Sequence, residues 1–339
     1  MIPNQWYVVA SSNEVSIRPV GMTRFGEKLV LYRTSSRFLV CLSDRCCHRG
    51  AALSKGKVCN GDQIQCPFHG LEYDPSGKCT VIPANGRSSP VPSNFKVRSW
   101  PVYEAHGFIW VWYGTDLPVP EIPEFFDDIP DGARYATVAD HWKAHYSRVI
   151  ENQLDCVHLP FIHHNTIGKG NRTLVNGPAV EWISDHKFFM YVYNEVDQGQ
   201  KPKKPNEVSV PSPSGYKIEF LYPNLWENRI ADKVRVLAAF VPVDDENTLL
   251  YLRFYQAFAR IPLIGNLVAR AAMPFNVYVA HQDRRVVQTQ EPKASALKIG
   301  ENLFQGDFPI LEYRRRRQEL QDKGRGWGPL KHLGRPSRN

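Results

Sequence analysis

Four residues in two short stretches have types and spacing suited to redox chemistry. Cys46-Cys47-His48-Arg49 and Cys66-Pro67-Phe68-His69-Gly70 give C-x-H, seventeen intervening residues, and C-x-x-H. Each stretch offers one thiolate and one imidazole. Two loops carrying them side by side can hold a [2Fe–2S] cluster, with Cys46 and Cys66 on one iron and His48 and His69 on the other. Exchanging two anionic thiolates for neutral imidazoles raises the reduction potential above that of an all-cysteine cluster. Gly50 and Gly70 let each loop turn tightly beside its histidine, and Pro67 stiffens the second loop. Structural zinc takes the same ligand types. Zinc fingers, however, pair cysteine with cysteine and histidine with histidine, whereas each loop here mixes the two. A Cys46–Cys66 disulfide would leave both histidines without a role.

A second group follows the pattern N-x-x-D-x-x-H-x-x-x-x-H at Asn152, Asp155, His158 and His163. A helix expected over about 142–158 puts Asn152, Asp155 and His158 at i, i+3 and i+6, neighbouring positions on one face. Pro160 is expected to end or bend that helix, bringing His163 to the same point from another direction. Two histidines need one carboxylate to form the facial triad of non-haem Fe(II) oxygenases, which leaves open positions for O2. Asp283, Glu291, Glu301 and Asp307 compete for that place. Asp155, taken alone, reads as a helix-face carboxylate or a surface ion pair.

The signature C-x-H-R…C-P-x-H-G resembles that of Rieske domains. Together with D-x-x-H-x-x-x-x-H, it makes the chain similar to Rieske non-haem iron oxygenases over essentially its whole length. Respiratory Rieske proteins carry one further cysteine in each loop. Here Ala51 and Phe68 stand in those loops without one, which disfavours the electron-transport branch. Leu71 replaces a tryptophan common after H-G in ring-hydroxylating oxygenases. The stretches Phe240-Val-Pro-Val-Asp and Gln305-Gly-Asp-Phe-Pro add weaker support.

The resemblance implies much that the residues alone do not. It selects Asp283 as the carboxylate ligand, and His163 over its neighbour His164. It gives Asp155 the role of linking a mononuclear-site histidine to a cluster histidine of the adjoining subunit, with Asn152 supporting the ligands. It implies a helix-grip catalytic fold and a homotrimer with head-to-tail electron transfer. It also implies electrons from NAD(P)H through a separate flavin and iron–sulfur reductase or a ferredoxin, with O2 as co-substrate. The chain's modest length points to the single-subunit branch that hydroxylates or oxidatively demethylates small organic substrates, aromatic or otherwise cyclic. An aromatic cis-dihydroxylating dioxygenase is the alternative within the family. A Rieske electron-transfer protein with no chemistry of its own is the alternative outside it. The other histidines (106, 141, 145, 186, 281 and 332) read as structural.

Composition sets outer bounds. The chain has 339 residues, 42% of them hydrophobic, with 17 Phe, 15 Tyr and 8 Trp, enough for two domains with real cores. Apolar runs such as Val236–Val243 are too short to cross a bilayer, and the N-terminus lacks the pattern of a signal peptide. Seven cysteines without a disulfide-like spacing fit a reducing, cytoplasmic setting. The net charge of +8 comes largely from residues 314–339. This argues against nucleic acid and for a solvated basic helix or a dock for an acidic redox partner.

These sites must be positioned by an α+β chain. Residues 1–117 read as an all-β Rieske domain, with strands near Trp6–Ala10, Lys28–Arg33, Phe38–Leu42, Gln63–Cys66 and Phe108–Tyr113. A proline-rich connector near 116–123 leads into a catalytic domain over 118–339. Its strands are expected near Ala179–Ile183, Lys187–Val196, Tyr216–Leu221, Arg235–Val243 and Thr248–Ala257. Helices are expected near 275–290 and 308–322. Gln198–Pro213 reads as a loop over the pocket. The substrate lining is expected from about 165–260, with Trp226 and Asn228 within reach of the pocket but read first as core residues.

Overall fold

The computed structural model describes residues 1–114, 119, 122–168, 170–208 and 217–324. The connector near 116–123 and the 117/118 boundary fall largely outside the described residues, as do residues 209–213 of the expected loop and the basic tail beyond 324.

The N-terminal part is all β. Strands β1 (Gln5–Ser11), β2 (Val20–Arg24), β3 (Glu27–Arg33), β4 (Leu39–Ser43), β5 (Lys57–Cys59), β6 (Gln63–Gln65), β7 (Glu72–Tyr73), β8 (Cys79–Val81), β9 (Val102–Ala105) and β10 (Phe108–Tyr113) form three small antiparallel sheets. Their orders are β1-β10-β9, β2-β3-β4 and β5-β6-β7-β8. Beneath the cysteine–histidine loops lies a core that includes Tyr32, Leu42, Leu53, Ile64, Leu71 and Tyr73.

The second half is built on one seven-stranded antiparallel sheet. Strands β11 (Arg134–Trp142), β12 (Leu174–Ser184), β13 (Lys187–Glu195), β14 (Lys217–Leu221), β15 (Leu225–Ala231), β16 (Val234–Pro242) and β17 (Thr248–Gln256) run in the order β11-β17-β16-β15-β14-β13-β12. Side chains alternate between the two faces. Leu225, Leu237, Ala239, Val241 and Tyr251 share a core with Trp6, Val8, Phe108 and Trp110 of the N-terminal part. Trp226, Val236, Ala238, Leu250 and Leu252 face the other way, in a core that also holds residues of the helices. Both faces are therefore covered. Backbone hydrogen bonds from Phe25 and Gly26 to the carbonyls of Pro242 and Val243 add to the first contact.

The helices α1 (Tyr146–Leu154), α2 (Leu159–Ile162), α3 (Pro262–Val287) and α4 (Phe308–Lys323) accompany this sheet. Helix α1 ends at Leu154, earlier than the sequence pattern implied, and Asp155 is already extended. Pro160 does not stop a helix. It sits in the first turn of α2, where its missing N–H costs nothing. Helix α3 begins well before the expected 275 and packs along β11 and β17. Its mean hydropathy reaches 1.2 over an 18-residue window, length and composition enough to cross a bilayer. Polar residues such as Asn266, Arg270, Asn276 and His281 break up its apolar runs, which hides this length in the sequence. In this fold α3 instead carries buried Asp283 into the protein. Strands β2, β5, β7, β8, β9, β11 and β15 were also unanticipated.

The basic helix α4 is not simply a solvated face. Arg314 and Arg317 are 3% and 7% exposed. Arg314 pairs with Glu151 at 2.8 Å and with Glu301 at 2.7 Å, while Arg148 pairs with the same two acids. This network fixes α1, and with it the chain leading to His158.

Candidate metal centres

Helix α1 delivers the chain to a turn built by Asp155. Its Oδ1 accepts hydrogen bonds from the backbone N–H of Val157 at 2.6 Å and of His158 at 3.2 Å, an Asx-type turn. Burial alone would raise the Asp155 pKa, but His158 and these backbone donors outweigh it and hold it below the ordinary value. Asp155 Oδ1 lies 3.6 Å from His158 Nδ1, an ion-pair distance rather than a hydrogen bond. Helix α2 then carries the chain to His163. Gly168 closes the next turn by donating to the His163 carbonyl at 2.9 Å. A Cβ at Gly168 would strike the Leu159 carbonyl.

His158, His163 and Asp283 converge, each offering a ligand atom within 4.8 Å of the others. Asp283 Oδ1 is 3.5 Å from His158 Nε2 and 3.0 Å from His163 Nε2. Asp283 is 4% exposed. His163 Nδ1 lies 2.9 Å from Gln282 Oε1, which also accepts from the Thr166 hydroxyl at 2.8 Å. The Gln282 amide nitrogen donates to Asn165 at 2.8 Å, which fixes the amide's orientation. With Gln282 in this orientation, His163 carries its proton on Nδ1 and its Nε2 lone pair points toward a carboxylate oxygen. Asp283 Oδ1 is buried with no hydrogen-bond donor. Two facing acceptors need a cation between them, or a second proton on the ring. Burial pulls the His163 pKa down, yet Asp283 more than offsets this and leaves it raised. This donor set fits a mononuclear iron.

His164 is exposed and bonds to the Phe161 carbonyl at 2.9 Å. His281 pairs with Asp140 at 3.2 Å. Of the competing carboxylates, Glu291 pairs with Lys293 and Glu301 with two arginines. Asp307 accepts from the Phe304 N–H at 3.0 Å.

The triad borders a cavity of about 170 Å³. Asn152, Asp155, Trp226 and Asn228 line it, together with Ile218, Val236, Leu250 and Leu252 of the sheet and Phe275, Val279 and Ala280 of α3. Trp226 and Asn228 thus face the cavity as well as the core. The lining extends outside 165–260, because α1 and α3 form the wall opposite the sheet. None of residues 198–208 lies in it.

The other candidate centre rests on two matching turns. Cys46 N–H donates to the Ala51 carbonyl and Cys66 N–H to that of Leu71, both at 2.8 Å. Gly50 and Gly70 have φ of +76° and +74°, a left-handed conformation that suits glycine. Cys46 and Cys66 are 3% and 2% exposed, while His48 and His69 lie at the surface with ring centroids 4.8 Å apart. Burial pushes the Cys66 thiol above its ordinary pKa, so a positively charged partner would favour the thiolate there. Two buried sulfurs and two exposed imidazoles fit an asymmetrically ligated [2Fe–2S] cluster. Tyr73 Oη lies 3.0 Å from Cys46 Sγ. Tyr73 and Gln282 escaped the sequence reading. Gln282 had one available signal, its place beside Asp283, whereas Tyr73 had none.

Two family models match. The Rieske [2Fe-2S] domain covers residues 5–101, and the vanillate O-demethylase oxygenase C-terminal domain covers residues 142–323. The chain is 36% identical over 184 residues to the putative toluene-4-sulfonate monooxygenase system iron-sulfur subunit TsaM2 of Comamonas testosteroni, covering 53% of this chain and 51% of that protein. It is 37% identical over 164 residues to the dicamba O-demethylase oxygenase component of Stenotrophomonas maltophilia, covering 48% of each. These two matches span about half the length of the relatives concerned. Methylxanthine N1-demethylase NdmA of Pseudomonas putida is 29% identical over 94% of this chain and 88% of its own. The solved NdmA structure superposes with a TM-score of 0.77 at 23% identity, over 94% of this chain and 90% of that one, a likeness of fold.

Proposed function

Since this chain belongs to the Rieske non-haem iron oxygenases and is an oxygenase catalytic subunit similar to monooxygenases and demethylases, we propose that it hydroxylates or oxidatively demethylates a small cyclic substrate. Cys46, His48, Cys66 and His69 would hold the [2Fe–2S] cluster, and His158, His163 and Asp283 the mononuclear iron. When bound, these groups supply stored electrons and O2 activation. The observation that carries this reading is the triad itself: Asp283 Oδ1, buried and without a donor, facing two imidazoles at the wall of an apolar cavity.

The protein's own residues then have defined tasks. Gln282 holds the His163 ring, and Asp155 shapes the turn beneath His158. The sheet and α3 keep water away from the reacting carbon. In hydroxylation one oxygen atom of O2 enters the substrate and the other leaves as water, with two electrons and two protons consumed. A separate NAD(P)H-linked flavin and iron–sulfur reductase, or a ferredoxin, would deliver the electrons. The N-terminal part packs on one sheet face and the triad lies toward the other. That separation supports electron transfer between neighbouring subunits of a homotrimer, with Asp155 at the junction. A functional division at 117/118, within the proline-rich connector, belongs to the same reading. All seven cysteines are free, in keeping with a cytoplasmic setting.

The test is reconstitution with a reductase, NADH and O2 against a panel of cyclic compounds, scored by mass. Products gaining one oxygen, or losing a methyl group as formaldehyde, support the reading. Reductase-driven cluster turnover with no O2-dependent product from any compound counts against it.

A further inference from the structure

The cavity beside the triad carries information about charge. Its described lining contains no lysine and no arginine. Its ionisable members are the carboxylates of Asp155 and Asp283 and the two triad imidazoles. The remaining surface is mostly aliphatic and aromatic. Beyond His158 Nδ1 and Asp283 Oδ1 of the triad, three polar atoms of lining residues have no hydrogen-bond partner in the protein: the indole N–H of Trp226, Nδ2 of Asn152 and Oδ1 of Asn228. Trp226 and Asn152 are 5% and 9% exposed, so bulk solvent hardly reaches them and what pairs them must sit in the cavity. Buried polar atoms left unpaired are costly and are usually matched by a ligand or an ordered water. The indole can only donate, whereas each amide can present either end by rotation.

Resting on the oxygenase reading above, we propose that the substrate is an uncharged, single-ring-sized molecule that presents a hydrogen-bond acceptor to Trp226 and a polar edge to Asn152 and Asn228. With iron bound, its double positive charge is offset by the carboxylates of Asp155 and Asp283, so a carboxylate or sulfonate would be buried beside no lysine or arginine and no net positive charge, which penalises the ionised form. A wholly apolar ring would leave the three polar atoms unpaired. The volume of about 170 Å³ is comparable to cavities that enclose a benzene ring.

The experiment is equilibrium binding to the iron-loaded, cluster-containing protein by titration calorimetry at millimolar ligand, using benzamide, benzoate, benzamidinium and toluene. These probes share a ring and differ in charge and polarity. Benzamide should bind best, with benzoate at least about tenfold weaker, a modest share of the cost of burying an unpaired charge. Trp226→Phe and Asn228→Leu should each weaken benzamide several-fold and leave toluene unchanged, with melting temperatures confirming that both variants fold. Benzoate or benzamidinium binding as tightly as benzamide overturns the proposal, and so does the absence of binding by all four. Binding is read without turnover, so the two readings fail separately. Selective benzamide binding in a protein that oxidises nothing would count against the oxygenase reading alone. Turnover of an aromatic acid together with tight benzoate binding would count against this inference alone.

Discussion

Gln282 precedes Asp283 on α3, and its side-chain oxygen lies 2.9 Å from His163 Nδ1. One helix therefore presents both a facing carboxylate and the group that fixes the imidazole opposite it. Gln282→Leu should weaken iron binding at the triad about tenfold or more, the usual effect of losing a partner behind a metal ligand. Gln282→Glu, which keeps an acceptor, should restore most of the affinity. Ferrous ion titration measures both, and the visible spectrum of the cluster should be unchanged throughout.

His163 and His164 are adjacent, but only His163 is buried against Asp283. His163→Ala should empty the mononuclear site while the cluster remains. His164→Ala should retain iron and activity. Iron loss in the His164 variant, with retention in the His163 variant, would place the ligand one residue later.

Tyr73 Oη is within hydrogen-bond reach of Cys46 Sγ. Hydrogen bonds to cluster sulfurs stabilise the reduced state and raise the potential. Tyr73→Phe should therefore lower the midpoint potential without loss of the cluster, as read by protein-film voltammetry. Cys46→Ser or His69→Ala, by contrast, should lose or badly perturb the reduced cluster's EPR signal.

Glu151 is 4% exposed and shares its charge with Arg148 and Arg314. Glu151→Gln leaves two buried guanidinium groups with less compensation and should cost about 3–5 kcal/mol of stability in urea unfolding. The iron affinity of protein that remains folded should fall as well, because α1 leads directly into the turn carrying His158.

Asp155→Asn preserves the Asx turn and removes the charge beside His158. Iron content, cluster colour and reduction by the partner should survive. Oxidation of a pre-reduced cluster by O2 in the presence of substrate should slow sharply in stopped-flow, as expected of a carboxylate that couples two centres. A rate equal to that of the unaltered protein would leave Asp155 with the turn as its only task.

What the sequence made readable was the chemistry that depends on residue type and short spacing. The two loops at 46–50 and 66–70 are local turns closed by their own backbone bonds, and the 158/163 spacing spans one short helix. Asp283 was reached through a family likeness, since nothing local ties residue 283 to residue 158. Helix ends were misplaced because a proline is as compatible with a helix start as with a stop, and at Pro160 only the tertiary structure decides. Arg314 and Arg317 looked solvent-facing because the acids that bury them are far away in sequence, at 151 and 301. Trp226 and Asn228 read as core first and pocket second, because alternation only assigns a residue to a sheet face. It does not say whether that face meets packed side chains or a cavity.

The most direct measurement of the central claim is iron per chain in the purified protein and in Asp283→Ala. The account predicts about three irons in the unaltered protein, two in the cluster and one at the triad. It predicts about two in the variant, with the reduced Rieske-type EPR signal intact and O2-dependent product abolished. Equal iron content in both proteins, or full product formation by the variant, would contradict it.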